Sequence, residues 1–233
     1  MSACYSLKAG STSILTFLFQ LPINREKYPQ NQDFHISSRT ASMVHSFRDY
    51  QNKFRGYFLF TFVRHPFSRL VSFYRDRILH HYMLNNTHPV PGQRDVYINL
   101  PTPLEHLHGQ KISFRKFIHT VINSDFRNLS TFDHHWVPMW RMCAPCHINY
   151  NFFGKVETMM NDFSYLSSRL GLTREFKQGQ SLLWQHQSAK SNASSESMIQ
   201  EYIDQLTHEE SSQLYKMYQL DFELYDYHFK NFR

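Results

Sequence analysis

The sequence predicts an α/β domain in which strands run directly into helices, and two stretches carry that expectation. In residues 3–13, ACYSLKAGSTS, a short strand-like run meets Lys8, Gly10 and a string of hydroxyl side chains. In YFLFTFVRHPFSRLVSFYRDR, which starts at Tyr57, an unbroken apolar run gives way to an arginine and then to a helical pattern. A central strand buried on both faces reads as such a continuous run rather than as an alternation.

At the first junction, Gly10 permits a tight turn, and the N–H groups that follow can point at one anion. Ser11 and Thr12 add hydroxyl donors where STSILTFLFQL begins a first helix, whose N-terminal dipole favours a phosphate. Lys8 supplies a mobile positive charge. The loop is not a Walker A motif, since Lys8 precedes the glycine instead of following a second one, and a dinucleotide fingerprint needs three glycines. The plain alternative is an ordinary Ser/Thr helix start after a glycine turn.

At the second junction, the run Tyr57 to Val63 is the predicted strand and Arg64 stands at its end. Pro66 suits the first turn of a helix, and Phe67, Leu70, Val71 and Tyr74 fall on one apolar face. Arg64 and Ser72, eight residues apart, could hold a second anion through forked charge-assisted bonds and a hydroxyl. The competing reading makes Arg64, Arg69, Arg75 and Arg77 the solvated face of a basic helix.

Farther along, SFRKFIHTVIN (113–123) has helical apolar spacing, and INYNFF reads as a strand. Thr207 with Glu210 forms a capping box for a final, structural helix carrying Leu214, Met217 and Tyr218. Pro22 to Phe34 and the proline-rich Asn85 to Pro103 read as surface insertions. There is no internal repeat.

Bulk properties agree with one globular domain over residues 1–233, because 41% hydrophobic residues in 233 can bury a sizeable core. The formal charge of +6, with fifteen histidines in reserve, favours anionic partners: nucleotides, nucleic acid or acidic glycans. Nucleic acid is disfavoured, since the aromatic residues fall in core strands rather than between basic ones. The longest apolar run, Tyr57 to Val63, is far below the ~20 residues of a membrane span, so the chain itself is expected to be soluble. Cys143 and Cys146 form a C-x-x-C pair, and Cys4 is the remaining cysteine. Half a zinc site, a redox pair and disulfide ends all remain open, although zinc would want two further ligands.

LKAGSTS and FVRHPFSRLVSFYRD together resemble the paired nucleotide-binding motifs of the sulfotransferases. FDHHWVPMWRMCAPCHINYNFFGKVET and the tail LYKMYQLDFELYDY resemble, more narrowly, the Golgi carbohydrate sulfotransferases that include the chondroitin and dermatan 4-O-sulfotransferases. The four blocks occur in order from the first residues to nearly the last. The resemblance implies a P-loop-like α/β fold with a central parallel sheet flanked by helices. It also implies transfer of a sulfonate from 3′-phosphoadenosine 5′-phosphosulfate (PAPS) to a glycan hydroxyl without a metal, and no cluster of carboxylates stands near either loop to hold Mg²⁺. N-acetylgalactosamine O-4 of chondroitin, dermatan or a related acidic glycan or proteoglycan is the acceptor it suggests.

Carried onto this chain, Lys8, Ala9, Gly10, Ser11 and Thr12 would cradle the 5′-phosphosulfate, and Arg64 and Ser72 would bind the 3′-phosphate. Lys8 would also neutralise the leaving bridging oxygen. His135 occupies the histidine position of the family's D-E-H-W-x-P block and would be the general base. His134 replaces the acidic residue there and competes for that role, and Glu157 is a second candidate for orienting acceptor or base. Loops between the blocks would contribute to the acceptor cleft, where His80, His81, Arg94 and Lys111 could meet an anionic glycan, with plain solvated charge as the default alternative. By its own composition, Ser181 to Ser197, rich in Ser, Gln and Ala with Lys190 near its middle, could form a flap over the cofactor.

A Golgi lumen implies oxidised cysteines, with one of three unpaired or bridging chains, and the sequons at Asn85, Asn128 and Asn192 fit that compartment. Departures from the family pattern are Leu7 for the usual proline, Ala9, Ser13 and Ile14 in the loop, and His65 for the acid after the second-motif arginine. Met1 lies almost on the first strand, so the cytosolic tail, single type II anchor and stem typical of the family are expected to be absent here, through truncation or divergence, and membrane association would need that anchor. The competing functional readings are a catalytically inactive glycan-binding protein that kept the fold, and a nucleotide kinase. The lysine position and the missing Mg²⁺ ligands oppose the kinase.

Overall fold

The computed structural model describes residues 1–19, 47–79, 112–124, 126, 134–178 and 195–228. The expected insertions at Pro22 to Phe34 and Asn85 to Pro103 lie outside the described residues, as do the three sequons, His80, His81, Arg94, Lys111 and Lys190. Within the described residues the elements are β1 (Ser2–Tyr5), α1 (Ser11–Phe19), α2 (Phe47–Phe54), β2 (Leu59–Val63) and α3 (Pro66–Phe73), followed by a π-helical turn, Tyr74–Leu79. Then come α4 (Phe114–Ile122), α5 (Met139–Cys143), β3 (Phe152–Lys155), a 3₁₀ turn at Val156–Thr158, α6 (Met159–Arg169), α7 (Ser195–Ile203) and α8 (His208–Leu224). None of the described helices is long and apolar enough to cross a membrane.

The chain forms two compact units, Met1–Arg64 with Cys143–Ser191, and His65–Met142 with Asn192–Arg233. The first unit holds a parallel sheet in the order β1-β2-β3. The expected α/β architecture with a parallel sheet is thus present, and its central strand, LFTFV, is buried at every position. The strand starts at Leu59 rather than Tyr57, because pairing begins where β1 begins, with Ser2 opposite Leu59.

Phe60 and Phe62 alternate onto one face and form a core with Ile14 and Phe17 of α1 and Met159, Phe163 and Leu166 of α6. Phe62 stacks on Phe163 at 4.4 Å between centroids. Burying each such ring contributes about 1.5–3 kcal/mol. Gly154 lies opposite Phe62 in the ladder, and a Cβ there would stand 2.4 Å from the ring. The other face carries Thr61, with Cys4 opposite it in register. Cys4 is disulfide-bonded to Cys143, and Cys146 is an exposed thiol. The three possibilities left open by the C-x-x-C spacing thus resolve to a disulfide made with a distant strand.

The second unit is helical. Pro66 occupies the first turn of α3, as expected, and Phe67, Leu70, Val71 and Tyr74 are all buried. They share a core with Phe117 and Val121 of α4, Trp136, and Leu214, Tyr218 and Phe222 of α8. Helix α4 begins at a Ser113 cap that accepts from the Lys116 N–H, and the Thr207–Glu210 capping box is fully formed. The reading of α3 as a solvated basic face fails at Arg69, which is only 1% exposed. Every residue of α3 except Ser72 is buried, so this helix has no solvent side where Arg69 stands.

Candidate active site

In the first unit, β1 ends at Tyr5 and the chain turns at once, with the Ala9 N–H donating to the Ser6 carbonyl at 3.1 Å. Lys8 has φ 63° and Gly10 φ 78°. Left-handed backbone at a lysine costs about 1–2 kcal/mol, and such outliers gather at ligand sites. Helix α1 then starts at Ser11 without an acidic residue in its first turn. Its leading N–H groups and the partly buried Ser11 and Thr12 hydroxyls form a donor set suited to a phosphate group. The Ser6 hydroxyl, 1% exposed at the mouth of the turn, has no hydrogen-bond partner among the described residues. Gly10 is favoured by its φ, and a Cβ there would lie 2.3 Å from the Met159 methyl, so that the flexible Met159 side chain would have to shift.

Arg64 follows β2 as Lys8 follows β1. Because the strands are parallel neighbours, both residues emerge at the same sheet edge, the carboxyl ends where α/β sheets bind ligands. The Arg64 Nη1 donates to the Lys8 carbonyl at 3.2 Å. Lys155 closes β3 at that edge, its N–H donating to Asp162 Oδ2 at 2.7 Å. Sequence reasoning passed over Lys155, although a cation ending an apolar strand was the signal that singled out Arg64. These groups suit a phosphate or sulfate ester: three cations at one edge, a helix N-terminus and hydroxyl donors.

Ser72 and His135 belong to the second unit. Ser72 is partly buried on α3, and its neighbour Phe73 packs on the His135 ring at 5.1 Å between centroids. His135 is 9% exposed and His134 is exposed. Glu157 lies exposed in the 3₁₀ turn, and the carboxylate that secures this corner is Asp162, which accepts from Lys155 N–H and Thr158 Oγ1.

The segment around His135 is held by three buried side chains that sequence reasoning did not assign to the site. Arg69 donates to the Val137 carbonyl at 2.6 Å and to the His134 carbonyl at 3.0 Å. The Tyr218 hydroxyl donates to the Trp136 carbonyl. Asp221 accepts the Met139 and Trp140 N–H groups, each at 2.8 Å. Burial pushes the Asp221 carboxyl up to about 6, against the pull of those two N–H groups and of the Arg69 charge. Asp221 was detectable in principle: it falls three residues after Tyr218 and seven after Leu214, on the apolar stripe of α8. Among the described residues no group of His, Cys, Asp and Glu side chains is arranged to hold a metal ion.

Comparison with known proteins gives this arrangement a context. Carbohydrate sulfotransferase 11 of Mus musculus is 27% identical over 238 residues, covering 98% of this chain and 65% of the relative. Carbohydrate sulfotransferase 9 of Homo sapiens is 32% identical over 168 residues, 71% of this chain and 36% of the relative. Carbohydrate sulfotransferase 12 of Mus musculus is 31% identical over 181 residues, 75% and 41% respectively. The chain spans less than two thirds of the length of these curated relatives. No solved structure matches it. The profile of the sulfotransferase family, however, aligns with residues 1–228, through both compact units, and by that match the chain belongs to the sulfotransferase family.

Proposed function

We propose that the protein is a carbohydrate O-sulfotransferase that moves a sulfonate group from PAPS to a glycan hydroxyl. The observation that carries this reading is the pairing of Lys8 and Arg64 at the carboxyl ends of adjacent parallel strands, beside the N-terminus of α1. PAPS, when bound, supplies the activated sulfonate. The turn at Lys8 to Thr12 holds its 5′-phosphosulfate through backbone N–H groups and the Ser11 and Thr12 hydroxyls. Arg64 and Ser72 hold its 3′-phosphate. Lys8 Nζ donates to the bridging oxygen as the sulfur–oxygen bond breaks, and a ring nitrogen of His135 takes the proton of the attacking hydroxyl. Lys8 acts where charge develops, and removal of one such donor typically costs about 10²–10³ in turnover.

The acceptor assigned is N-acetylgalactosamine O-4 of chondroitin, dermatan or a related glycan. It follows from the resemblance of FDHHWVPMWRMCAPCHINYNFFGKVET and of the tail to enzymes of that specificity. A Golgi-lumen setting follows from the same resemblance. The net charge of +6 suits an acidic polysaccharide.

The test is calorimetric titration with PAP, the desulfated product, against ADP with Mg²⁺, followed by labelled PAPS turnover on desulfated chondroitin. PAP binding that Arg64→Ala weakens about 30-fold or more, with turnover lowered about 10²-fold or more in Lys8→Ala, is expected. A folded protein that binds chondroitin but not PAP would replace this reading with that of an inactive glycan-binding protein.

A further inference from the structure

We propose that Arg69, Tyr218 and Asp221 are positioning residues that fix the backbone of the segment 134–140 and thereby aim the His135 ring. The inference rests on the reading of His135 as the base.

The segment makes few main-chain bonds of its own before α5 begins. Several of its main-chain polar groups bond instead to side chains from two helices, α3 and α8. The carbonyls of His134, Trp136 and Val137 and the N–H groups of Met139 and Trp140 are all taken in this way. The Arg69 fork spans two carbonyls on either side of His135, so the φ and ψ angles of His135 are bracketed from before and after. Four residues along the same helix, Phe73 packs on the imidazole. Backbone and ring of His135 are therefore referenced to one rigid element.

Arg69 and Asp221 are 1% and 0% exposed. Burying ionised groups costs several kcal/mol each, and apolar replacements of similar volume often serve stability as well or better. A fold that needed only a filled core would gain little from this arrangement. What a planar guanidinium and a two-oxygen acceptor add is a defined backbone geometry, which matters where a base must lie within hydrogen-bond reach of a hydroxyl.

The variants are Arg69→Met, Arg69→Lys, Asp221→Asn and Tyr218→Phe. Leu214→Ala serves as the control, because it removes a buried side chain from α8 without touching the segment. Turnover on desulfated chondroitin, PAP affinity, thermal midpoint and the ¹³C-labelled His135 resonance are measured for each. Arg69→Met and Asp221→Asn are expected to lower kcat about tenfold to a hundredfold with PAP affinity within twofold, since small misplacements cost that much. Arg69→Lys should not restore turnover, because an ammonium cannot span both carbonyls. The His135 resonance should shift or broaden in these variants and not in Leu214→Ala. If the larger changes prevent folding, Tyr218→Phe, which deletes a single hydroxyl, should still move the resonance and lower kcat.

The inference is overturned if all variants behave like Leu214→Ala at matched loss of thermal midpoint, or if PAP affinity falls in step with kcat. A wild type that binds no PAP and turns over no chondroitin would refute the function. The His135 resonance would then still report whether the clamp positions the ring.

Discussion

At Lys8 the backbone takes a left-handed turn, and the Arg64 Nη1 donates to the carbonyl of that same residue at 3.2 Å. One guanidinium would therefore serve both proposed phosphate sites: it braces the strained loop proposed for the 5′-group, and under the proposed function it would also contact the 3′-phosphate. The two roles separate experimentally with adenosine 5′-phosphate, which has no 3′-phosphate. Arg64→Ala should weaken PAP by about 2–3 kcal/mol, as expected for hydrogen bonds to a charged group, and should also weaken adenosine 5′-phosphate by about 1 kcal/mol. Unchanged affinity for adenosine 5′-phosphate in calorimetry would confine Arg64 to direct contact. Residue type was legible here and residue coupling was not. Lys8, Gly10 and Arg64 stand out through chemistry and chain position, whereas a bond across 56 positions has no signature in a linear chain.

Helices α4 and α8 show how an element boundary becomes an electrostatic joint. Glu210 closes the capping box by accepting the Thr207 N–H at 2.7 Å, and its other oxygen accepts from Arg115 Nε at 2.8 Å and lies 2.5 Å from His119 Nε2. Burial raises the pKa of Glu210, but the Thr207 and Arg115 bonds outweigh it and hold the carboxyl at about 2, below its ordinary 4.5. A depressed carboxylate contributes stability that is present above the unfolded value and lost as pH falls through the folded one. Urea midpoints should therefore decline as pH drops from about 4.5 towards 2, and Glu210→Gln should flatten that decline. An equal slope in the variant would remove Glu210 from the acid response. The box itself was readable from Thr207 and Glu210, because a cap is a contact over three residues. The partners on α4 were not, because they lie about 90 positions away.

Over the whole molecule, the Cys4–Cys143 disulfide ties β1 to the end of α5 across a separation of 139 residues. A crosslink that closes so long a loop removes much of the unfolded chain's freedom, and loss of a native one typically costs about 2–5 kcal/mol. Urea unfolding with and without reductant should differ by that amount, and Cys146→Ser should leave the difference intact. If Cys146→Ser abolished the effect of reductant, the pairing would be wrong.

Local chain chemistry determined a great deal of this protein. Two strand-to-helix junctions, a both-faces-buried strand at LFTFV, the proline start of α3, the capping box of α8 and the loop from Lys8 to Thr12 all depend on contacts within a few residues. Periodicity, φ preference and hydrogen-bond chemistry act at that range. Tertiary structure alone decided that Cys143 pairs with Cys4 rather than with Cys146 three residues away. It also buried Arg69 where its spacing suggested a solvated face, and brought Tyr218 and Asp221 onto the segment of His135. Each of these depends on which distant groups the fold delivers within bonding distance. That choice is made by the packing of whole elements, not by the pattern inside any one of them.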